Sequence, residues 1–327
     1  MSIAAAERST TEPWEIGTDD PEAITVSKAQ IGEDHVSVTF SDGTVARYAH
    51  AWLRDNRPAA GDKYTAIRSW SILADDFEDA PSTAIALPEG GLEVAWTDGV
   101  ATFDGAWLRA HCHETADRLT RTSRPTLWTR DDIASAPPIF QFNAVQGDNN
   151  GRLAMLNAVA DSGFVLLQGV PATPEGTEDI AAMVGYIRET DFGRVFDIVS
   201  EPEVWEMSQS TEALHPHTDD PYRHNPPGIS VLHCIEADET GGRSQIVDGF
   251  AAAAALRDED PDAFRLLSTI HLPFVRHRHD PVPQGEDVHL LTHAPVISLD
   301  REGEICGVRF HERSTAPFDM DPDVMPA

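Results

Sequence analysis

Two segments of the chain repeat one arrangement of residues, and this repeat constrains the fold of the first third of the sequence. Residues 35–54 read HVSVTFSDGTVARYAHAWLR, and residues 92–109 read LEVAWTDGVATFDGAWLR. In both, alternating apolar residues flank an Asp-Gly pair, a pattern typical of a β-hairpin. The turns are expected at Asp42 and Asp98. Since two copies are too few for a solenoid, the repeat predicts a small β-rich N-terminal domain over residues 21–115.

The rest of the chain has a different pattern. Residues 1–20 are polar and are predicted to be a mobile tail, and residues 116–130 to be a linker. Over residues 131–327, segments with helical periodicity come first and short apolar runs follow. This order predicts an α+β, mainly β domain, built on a β-sandwich or jelly roll.

Individual elements of this second part can be assigned from local signals. Helices are expected over residues 150–161, from an N-cap at Thr177, and around residues 250–269. A buried strand is expected at 164–170. Four further strands are expected in short apolar runs: GRVFDIV (193–199), GISVLHCI (228–235), RSQIVDGF (243–250) and ICGVRF (305–310).

The composition restricts the classes of function. Asp and Glu total 55 and Lys and Arg 24, which gives a formal net charge of −31. Such a surface repels nucleic acid and anionic membranes; it keeps a protein soluble and, as a weaker inference, suits a cationic substrate. Its three cysteines, Cys112, Cys234 and Cys306, are far apart, so a reducing cytoplasm is expected. The N-terminus lacks the pattern of a signal peptide, and no apolar run approaches about 18 residues, so no membrane span is expected.

One motif points to metal chemistry. The stretch HPHTDDPYR at 215–223 contains His217 and Asp219 as an H-x-D. On a strand, these two side chains would lie on the same face. One imidazole and one carboxylate form two thirds of the facial triad of non-haem Fe(II) oxygenases, which leaves positions open for co-substrate and O2. An isolated H-x-D is more often a surface pair or a hydrogen-bonded pair.

The residues around this motif carry a resemblance to a known family. NPPGISVLHCIEADETGGRSQIVDGF follows at 225–250, and AWLRDN precedes it at 51–56. Together with the H-x-D these segments resemble the γ-butyrobetaine hydroxylase-like dioxygenases, within the broader taurine-dioxygenase-like enzymes. The resemblance implies a double-stranded β-helix (jelly-roll) catalytic domain with flanking helices, preceded by a small N-terminal domain. It also implies Fe(II), 2-oxoglutarate and O2, with hydroxylation of a small molecule and release of succinate and CO2.

The resemblance also implies roles for individual residues near the motif. His217 and Asp219 match the first two iron ligands. Ser244, after two glycines, matches a residue whose hydroxyl contacts 2-oxoglutarate, although an ordinary turn serine fits equally well. Tyr222 is a candidate substrate contact or a core aromatic residue. His233, in the Leu-His-Cys run, is expected to have a structural role.

The substrate class is inferred from aromatic positions. Phe192, Phe196 and Gln209 stand where γ-butyrobetaine hydroxylases tend to have Tyr, Trp and Tyr. Trimethylammonium groups are held by aromatic cages through cation–π attraction, so two aromatic positions remain and one is lost. Trp205 is nearby and could compensate or belong to the core. We therefore expect a small, cationic quaternary-ammonium substrate, similar to γ-butyrobetaine but not necessarily identical to it.

The sequence departs from the family's pattern in its iron site. In the family the third iron ligand is a His well over a hundred residues after the H-x-D, and an Arg that binds 2-oxoglutarate follows it. This sequence ends 108 residues after Asp219, so we expect the jelly roll to be truncated at its C-terminal end, without this His and Arg. The remaining histidines are expected to be solvent-facing rather than substitute ligands: His271, His277, His279, His289, His293 and His311.

A second departure concerns zinc. Members of the family often bind structural zinc in the N-terminal domain through closely spaced cysteines and a later His. Here the corresponding segment, RPAAGDKY at 57–64, has no Cys, and the run His111-Cys112-His113 lacks the usual zinc spacing. We expect no structural zinc.

Two alternatives to the leading hypothesis stay open. One keeps the chemistry and changes the substrate to another small acid, such as a sulfonate or a phosphonate. The other is a non-catalytic binding member of the family with an incomplete iron site. A homodimer is expected from the resemblance.

Overall fold

The computed structural model describes residues 24–57, 80–114, 124–199, 213–237, 242–278, 287–323 and 325. The chain divides into two compact units between residues 123 and 124. Among the described residues, every helix is too short or too polar to cross a lipid bilayer.

The first unit contains two three-stranded antiparallel sheets, with strand orders β1-β2-β3 and β4-β5-β6. Each sheet is followed by one short helix. The strands and helices are β1 (Val26–Ile31), β2 (His35–Phe40), β3 (Val45–Ala49), α1 (His50–Asp55), β4 (Thr83–Ala86), β5 (Leu92–Trp96), β6 (Gly99–Phe103) and α2 (Gly105–Ala110).

Both predicted hairpins are present. β2 pairs with β3 and β5 pairs with β6, with the Asp-Gly turns between them. The Asp42 carboxylate accepts a hydrogen bond from the backbone of Thr44 at 2.9 Å, and Gly43 has φ +84°, a conformation that suits glycine. The alternation of buried and exposed residues along β2 and β5 is the one that the sequence predicts.

The two copies of the repeat exchange arginine–aspartate pairs. Arg54, after the first hairpin, donates to both carboxylate oxygens of Asp98 in the second turn, each at 3.2 Å. Arg109, after the second hairpin, donates to Asp42 in the first turn at 2.9 Å. The two copies of the sequence repeat therefore contact each other reciprocally: the helix after each hairpin binds the turn of the other hairpin.

Aromatic residues from both copies complete this unit. Trp52 of α1 stacks on Trp107 of α2, with ring centroids 5.6 Å apart, and the buried Tyr48 hydroxyl donates to the carbonyl of Leu108 at 2.6 Å. The core of the unit consists of fourteen buried residues from both copies: Val26, Val36, Val38, Phe40, Ala46, Tyr48, Leu53, Leu92, Val94, Trp96, Ala101, Phe103, Leu108 and Cys112.

The second unit combines helices with two-stranded sheets. β7 pairs in parallel with β8, whereas β9 with β10 and β11 with β12 are antiparallel pairs. The elements are α3 (Arg130–Ser135), β7 (Ile139–Gln141), α4 (Phe142–Gly147), α5 (Asn149–Ser162), β8 (Leu166–Gln168), α6 (Pro174–Val184), α7 (Gly249–Glu259), α8 (Pro261–Thr269), β9 (Leu272–Arg278), β10 (Val288–Ala294), β11 (Ile297–Leu299), β12 (Ile305–Val308) and a 3-10 turn (Glu312–Ser314).

The helices largely match the sequence prediction. α5 begins after the Asp148 cap and ends at Gly163, whose φ is +81°. The helix expected from Thr177 instead begins at Pro174, and the Thr177 hydroxyl bonds the ring of His233 at 2.9 Å. This contact is consistent with the structural role expected for His233. The single helix expected around 250–269 is two helices, because Pro261 starts a new one.

Several strand predictions in this unit were wrong. Of the four runs expected after residue 190, only the last forms a strand, β12; the other three form none, and the third run ends in the first two residues of α7, Gly249 and Phe250. Apolar side chains in those runs stay exposed, with Leu232 at 68%, Ile198 at 55% and Val247 at 52%. Alternation alone does not make a strand, because the backbone also needs a hydrogen-bonding neighbour.

Candidate metal centre

His217 and Asp219 converge, as the sequence predicts, but by a different local geometry. His217 Nε2 lies 3.5 Å from Asp219 Oδ1. The segment is a turn rather than a strand, and the next residue, Asp220, has φ +49°. Aspartate tolerates this left-handed conformation better than most residues. The side chains therefore meet because the chain bends here, whereas strand alternation was the expected cause.

The tautomer of His217 follows from its neighbour. Its Nδ1 lies 2.7 Å from the backbone carbonyl of His215. A carbonyl only accepts hydrogen bonds, so Nδ1 carries the proton and the lone pair is on Nε2, the atom that faces Asp219. A backbone carbonyl that fixes a histidine in this way is typical of metal ligands.

The carboxylate of Asp219 is held in a matching way. Ser230 Oγ donates to Oδ2 at 3.0 Å, which leaves Oδ1 facing the imidazole. Two electron-rich atoms thus face each other. An imidazole nitrogen and a carboxylate oxygen bound to one divalent ion at roughly 2.0–2.2 Å lie roughly 2.8–3.1 Å apart on octahedral positions and roughly 3.3–3.6 Å apart on tetrahedral positions. The donor chemistry of the pair fits a metal ion, and its observed spacing of 3.5 Å matches the tetrahedral value.

The segment that follows β12 holds this turn in place. The backbone N–H of Thr218 donates to the carbonyl of Phe310 at 2.7 Å, and the N–H of Phe310 donates to Thr218 Oγ1 at 3.0 Å. The guanidinium of Arg309 donates to the carbonyls of Pro221 and Arg223 at 2.9 and 3.0 Å. Arginine is well suited to this position because its planar group carries several donors in fixed directions.

A network of charged side chains follows the turn. Asp220 accepts from the Tyr222 hydroxyl and from Arg223 Nε, both at 2.5 Å. Arg223 also pairs with Asp191, which bonds Arg276 Nε at 3.1 Å. Burial alone would raise the pKa of Asp191, but the two arginines outweigh it and hold the pKa below its usual value.

Tyr222, a predicted substrate contact, is 7% exposed and its hydroxyl is engaged by Asp220. Burial, together with that carboxylate, raises the pKa of the phenol, so Tyr222 acts as a neutral donor. The side chain therefore contributes to the network beside His217 and Asp219.

The histidines considered as substitute ligands are distributed over the unit. Among those that the structure describes, only His311 lies at the pair, with its ring centroid 4.6 Å from that of His217. It is partly buried, and its Nδ1 has no hydrogen-bonding partner among the described residues. Burial, and then the charge of His217, lowers the pKa of His311. Four others are exposed, as expected, and His279 lies outside the described residues: His271, His277, His289 and His293.

Within the described residues, His217 and Asp219 supply two candidate metal ligands. Across the described ranges, no cluster of three or more His, Cys, Asp or Glu side chains is arranged to hold a metal. His217 and His311 line a small cleft of about 10 Å³, whereas Asp219, Ser230 and Arg309 line a cavity of about 370 Å³. The larger cavity gives access to the carboxylate side of the pair.

Two of the aromatic residues predicted to bind the substrate lie against each other. Phe192 and Phe196 stack with ring centroids 5.1 Å apart, and Phe196 is 49% exposed. The guanidinium of Arg276 lies 4.2 Å from the centroid of the Phe192 ring, so that ring already contacts a cation. Gln209 and Trp205 lie outside the described residues.

Ser244 is exposed in the segment before α7 and lines neither the cleft at His217 nor the cavity at Asp219. The structure therefore brings together His217 with Asp219, and Phe192 with Phe196, and leaves Ser244 apart from both pairs.

Sequence reasoning missed four residues that support the site: Ser230, Arg276, Arg309 and Phe310. Each contacts its partner across 11 to 92 residues of sequence. The Arg276 contact had one local signal. On β9, alternation places Arg276 on the face opposite to the exposed His277, and therefore on the face turned away from solvent.

Comparison with known proteins gives a consistent result. A profile of the family described as taurine catabolism dioxygenase TauD, TfdA matches residues 119–325. A gamma-butyrobetaine dioxygenase of Pseudomonas sp. (strain AK-1) is 36% identical over 296 residues, which is 89% of this chain and 75% of the relative. The human mitochondrial trimethyllysine dioxygenase is 30% identical over 303 residues, 88% of this chain and 69% of the relative. The chain therefore belongs to the TauD/TfdA dioxygenase family.

Proposed function

We propose that this protein is an Fe(II)- and 2-oxoglutarate-dependent dioxygenase that hydroxylates a small quaternary-ammonium compound similar to γ-butyrobetaine. The observation that carries the proposal is the convergence of His217 Nε2 and Asp219 Oδ1 at 3.5 Å in a chain of this family. The names of two relatives, a gamma-butyrobetaine and a trimethyllysine dioxygenase, support a trimethylammonium substrate.

In this proposal His217 and Asp219 hold the metal. The His215 carbonyl keeps the proton of His217 on Nδ1, and Ser230 orients the carboxylate, so both ligands are set before the ion binds. Iron bound there supplies the activation of O2 that couples decarboxylation of 2-oxoglutarate to hydroxylation. Ser244 is proposed to contact 2-oxoglutarate, on the basis of its match to the family's motif.

Substrate recognition is proposed to involve Phe192, Phe196, Tyr222 and Gln209. Of the two stacked rings, Phe196 is the more exposed, and Arg276 already lies on Phe192. We assign Phe196 as the ring that meets the trimethylammonium group and Phe192 as its support. Cation–π attraction contributes about 0.5–2 kcal/mol, depending on how far the cation is desolvated.

Arg309 favours a second candidate. Its guanidinium lines the cavity beside Asp219 and donates to the backbone carbonyls of Pro221 and Arg223, so it places positive charge near the pair. Positive charge suits an anionic group, so a small sulfonate or phosphonate hydroxylated by the same chemistry is the alternative substrate.

The finer fold assignment belongs to the same proposal. We assign residues 131–327 to a jelly-roll dioxygenase domain and residues 21–115 to a small β-rich domain, with a linker at 116–130. The division of the chain between residues 123 and 124 and the two sheets of the first unit support it. Homodimerisation and the absence of structural zinc stay predictions.

A substrate screen tests the proposal. The full-length protein, supplied with Fe(II), ascorbate and 2-oxoglutarate, is assayed for succinate with γ-butyrobetaine, shorter and longer trimethylammonium carboxylates, and matched sulfonates and phosphonates without the ammonium group. Turnover confined to the ammonium series supports the first candidate. Turnover confined to the other series supports the second, and succinate release that does not need iron contradicts both.

A further inference from the structure

A second pair of histidines lies away from His217 and Asp219, on the hairpin of β9 and β10. The register places His289 directly opposite His277, and both side chains are exposed. Their Nδ1 atoms are 2.9 Å apart and their ring centroids 4.2 Å apart. In the metal-free protein, a contact this short needs one ring to donate a proton and the other to accept it.

The spacing of the two nitrogens also fits a shared metal ion. Imidazole nitrogens bind divalent metals at about 2.0–2.1 Å. Two such nitrogens on positions about 90° apart lie roughly 2.9 Å from each other, and on tetrahedral positions roughly 3.3–3.4 Å. The observed distance of 2.9 Å matches the first arrangement, which square-planar and octahedral ions adopt. Copper(II) and nickel(II) are therefore favoured over zinc.

The hairpin holds the two rings in this position. β9 and β10 pair without interruption over seven residue pairs, from Val288↔Arg278 to Ala294↔Leu272. Phe274, on the face opposite to His277, is 1% exposed and anchors the hairpin to the unit. Because the pairing already fixes the backbone of both residues, an ion that binds the two rings has only their side-chain entropy to overcome.

The charge of the whole protein supports cation binding. The chain carries a formal net charge of −31, which raises the local concentration of divalent cations. Because the pair supplies two ligands and is exposed, water can complete the coordination shell.

We propose that His277 and His289 form a second metal site on the surface of the protein, which takes a copper(II)- or nickel(II)-type ion through both Nδ1 atoms. Because such an ion links β9 to β10, its binding stabilises the folded protein in proportion to its concentration. This site is independent of the iron pair and of the proposed reaction.

Nickel(II) is the probe for the test, since it does not oxidise the cysteines as copper(II) can. Iron-free, untagged full-length protein is titrated with nickel by calorimetry, and its melting temperature is recorded with and without nickel. The variants are His277→Asn and His289→Asn. His293→Asn is the matched control, because His293 lies on the same face of β10 but opposite Pro273. His217→Ala removes nickel binding at the iron pair.

The proposal predicts one nickel site that is lost in both His277→Asn and His289→Asn and kept in His293→Asn and His217→Ala. The rise in melting temperature on nickel addition follows the same pattern. Nickel binding that is unchanged in His289→Asn and His277→Asn overturns the proposal. So does binding that disappears entirely in His217→Ala, because the iron pair would then account for all of it. Both Asn variants alter exposed side chains, and circular dichroism checks that they fold.

Discussion

Three hydrogen bonds join Thr218 to Phe310, although the two residues are 92 positions apart in the sequence. Thr218 donates its backbone N–H to the Phe310 carbonyl at 2.7 Å, and its hydroxyl accepts the Phe310 N–H at 3.0 Å and donates to the Phe310 carbonyl at 3.3 Å. This contact ties the middle of the H-x-D turn to the segment after β12. It also explains why His311 lies beside His217, since His217 precedes Thr218 in the chain and His311 follows Phe310.

The Thr218 hydroxyl should therefore matter for metal binding. Thr218→Val keeps the shape of the side chain but removes the acceptor of the Phe310 N–H. We expect the free energy of unfolding to fall by about 1 kcal/mol and the affinity for divalent metal to fall with it. Urea unfolding and a metal titration measure the two effects. Thr218→Ser, which keeps the hydroxyl, should resemble the wild type, and equal loss in both variants would argue against this role.

Ser230 is predicted to set the affinity of the iron pair, because its hydroxyl orients the Asp219 carboxylate at 3.0 Å. Removing a partner of a metal ligand typically costs about 10–100-fold in metal affinity. We expect a loss of this size in Ser230→Ala, measured with Mn(II) or Fe(II) under anaerobic conditions. Ser298→Ala is the matched control, since Ser298 lines the same cavity. A Ser230→Ala variant that binds metal as the wild type does would contradict the prediction.

Phe196 is predicted to discriminate the substrate's charge. Phe196→Ala should raise KM for trimethylammonium substrates by about 2–30-fold, which corresponds to the cation–π range of about 0.5–2 kcal/mol. Phe196→Tyr should keep the wild-type KM, because it keeps the ring. Steady-state succinate assays with a trimethylammonium substrate and its uncharged tert-butyl analogue separate charge from shape. If Phe196→Ala affects both compounds equally, Phe196 provides packing only.

The reciprocal pairs of the first unit should contribute unequally to stability. Arg54 is 5% exposed as a side chain, whereas Arg109 is 20% exposed. Asp98→Asn weakens the pairing of the more buried guanidinium, so we expect a loss of about 1.5–3 kcal/mol in the free energy of unfolding. Asp42→Asn should cost less, about 1 kcal/mol or below. Urea unfolding followed by tryptophan fluorescence compares the two, and a larger loss in Asp42→Asn would contradict this ranking.

The sequence predicts this unit well where the signal is local. The turns at Asp42 and Asp98 follow from alternation around Asp-Gly, and both hairpins form. The repeat does not reveal that Arg54 meets Asp98 and Arg109 meets Asp42, because these contacts join residues 44 and 67 positions apart. Local patterns determine a hairpin, whereas such pairs depend on how two hairpins pack.

The candidate site shows the same difference between local contacts, which the sequence predicts, and contacts between distant residues, which it does not. The pairing of His217 with Asp219 could be predicted because only Thr218 separates them in the sequence, although a turn brings them together rather than a strand. Ser230 and Phe310, which orient the turn, could not be predicted, since their partners are 11 and 92 residues away. The strand predicted at 228–235 is not formed, for a related reason. Its apolar pattern does not indicate which backbone segment would pair with it.

In the proposed reaction His217 and Asp219 hold the iron that drives turnover. Succinate formation by the full-length protein is measured with a trimethylammonium substrate, 2-oxoglutarate and O2, with and without Fe(II). His217→Ala and Asp219→Ala are compared with the control His293→Asn. We expect iron-dependent turnover in the wild type and in the control, and loss of it in both ligand variants. Wild-type turnover in His217→Ala, or turnover without iron, would contradict it.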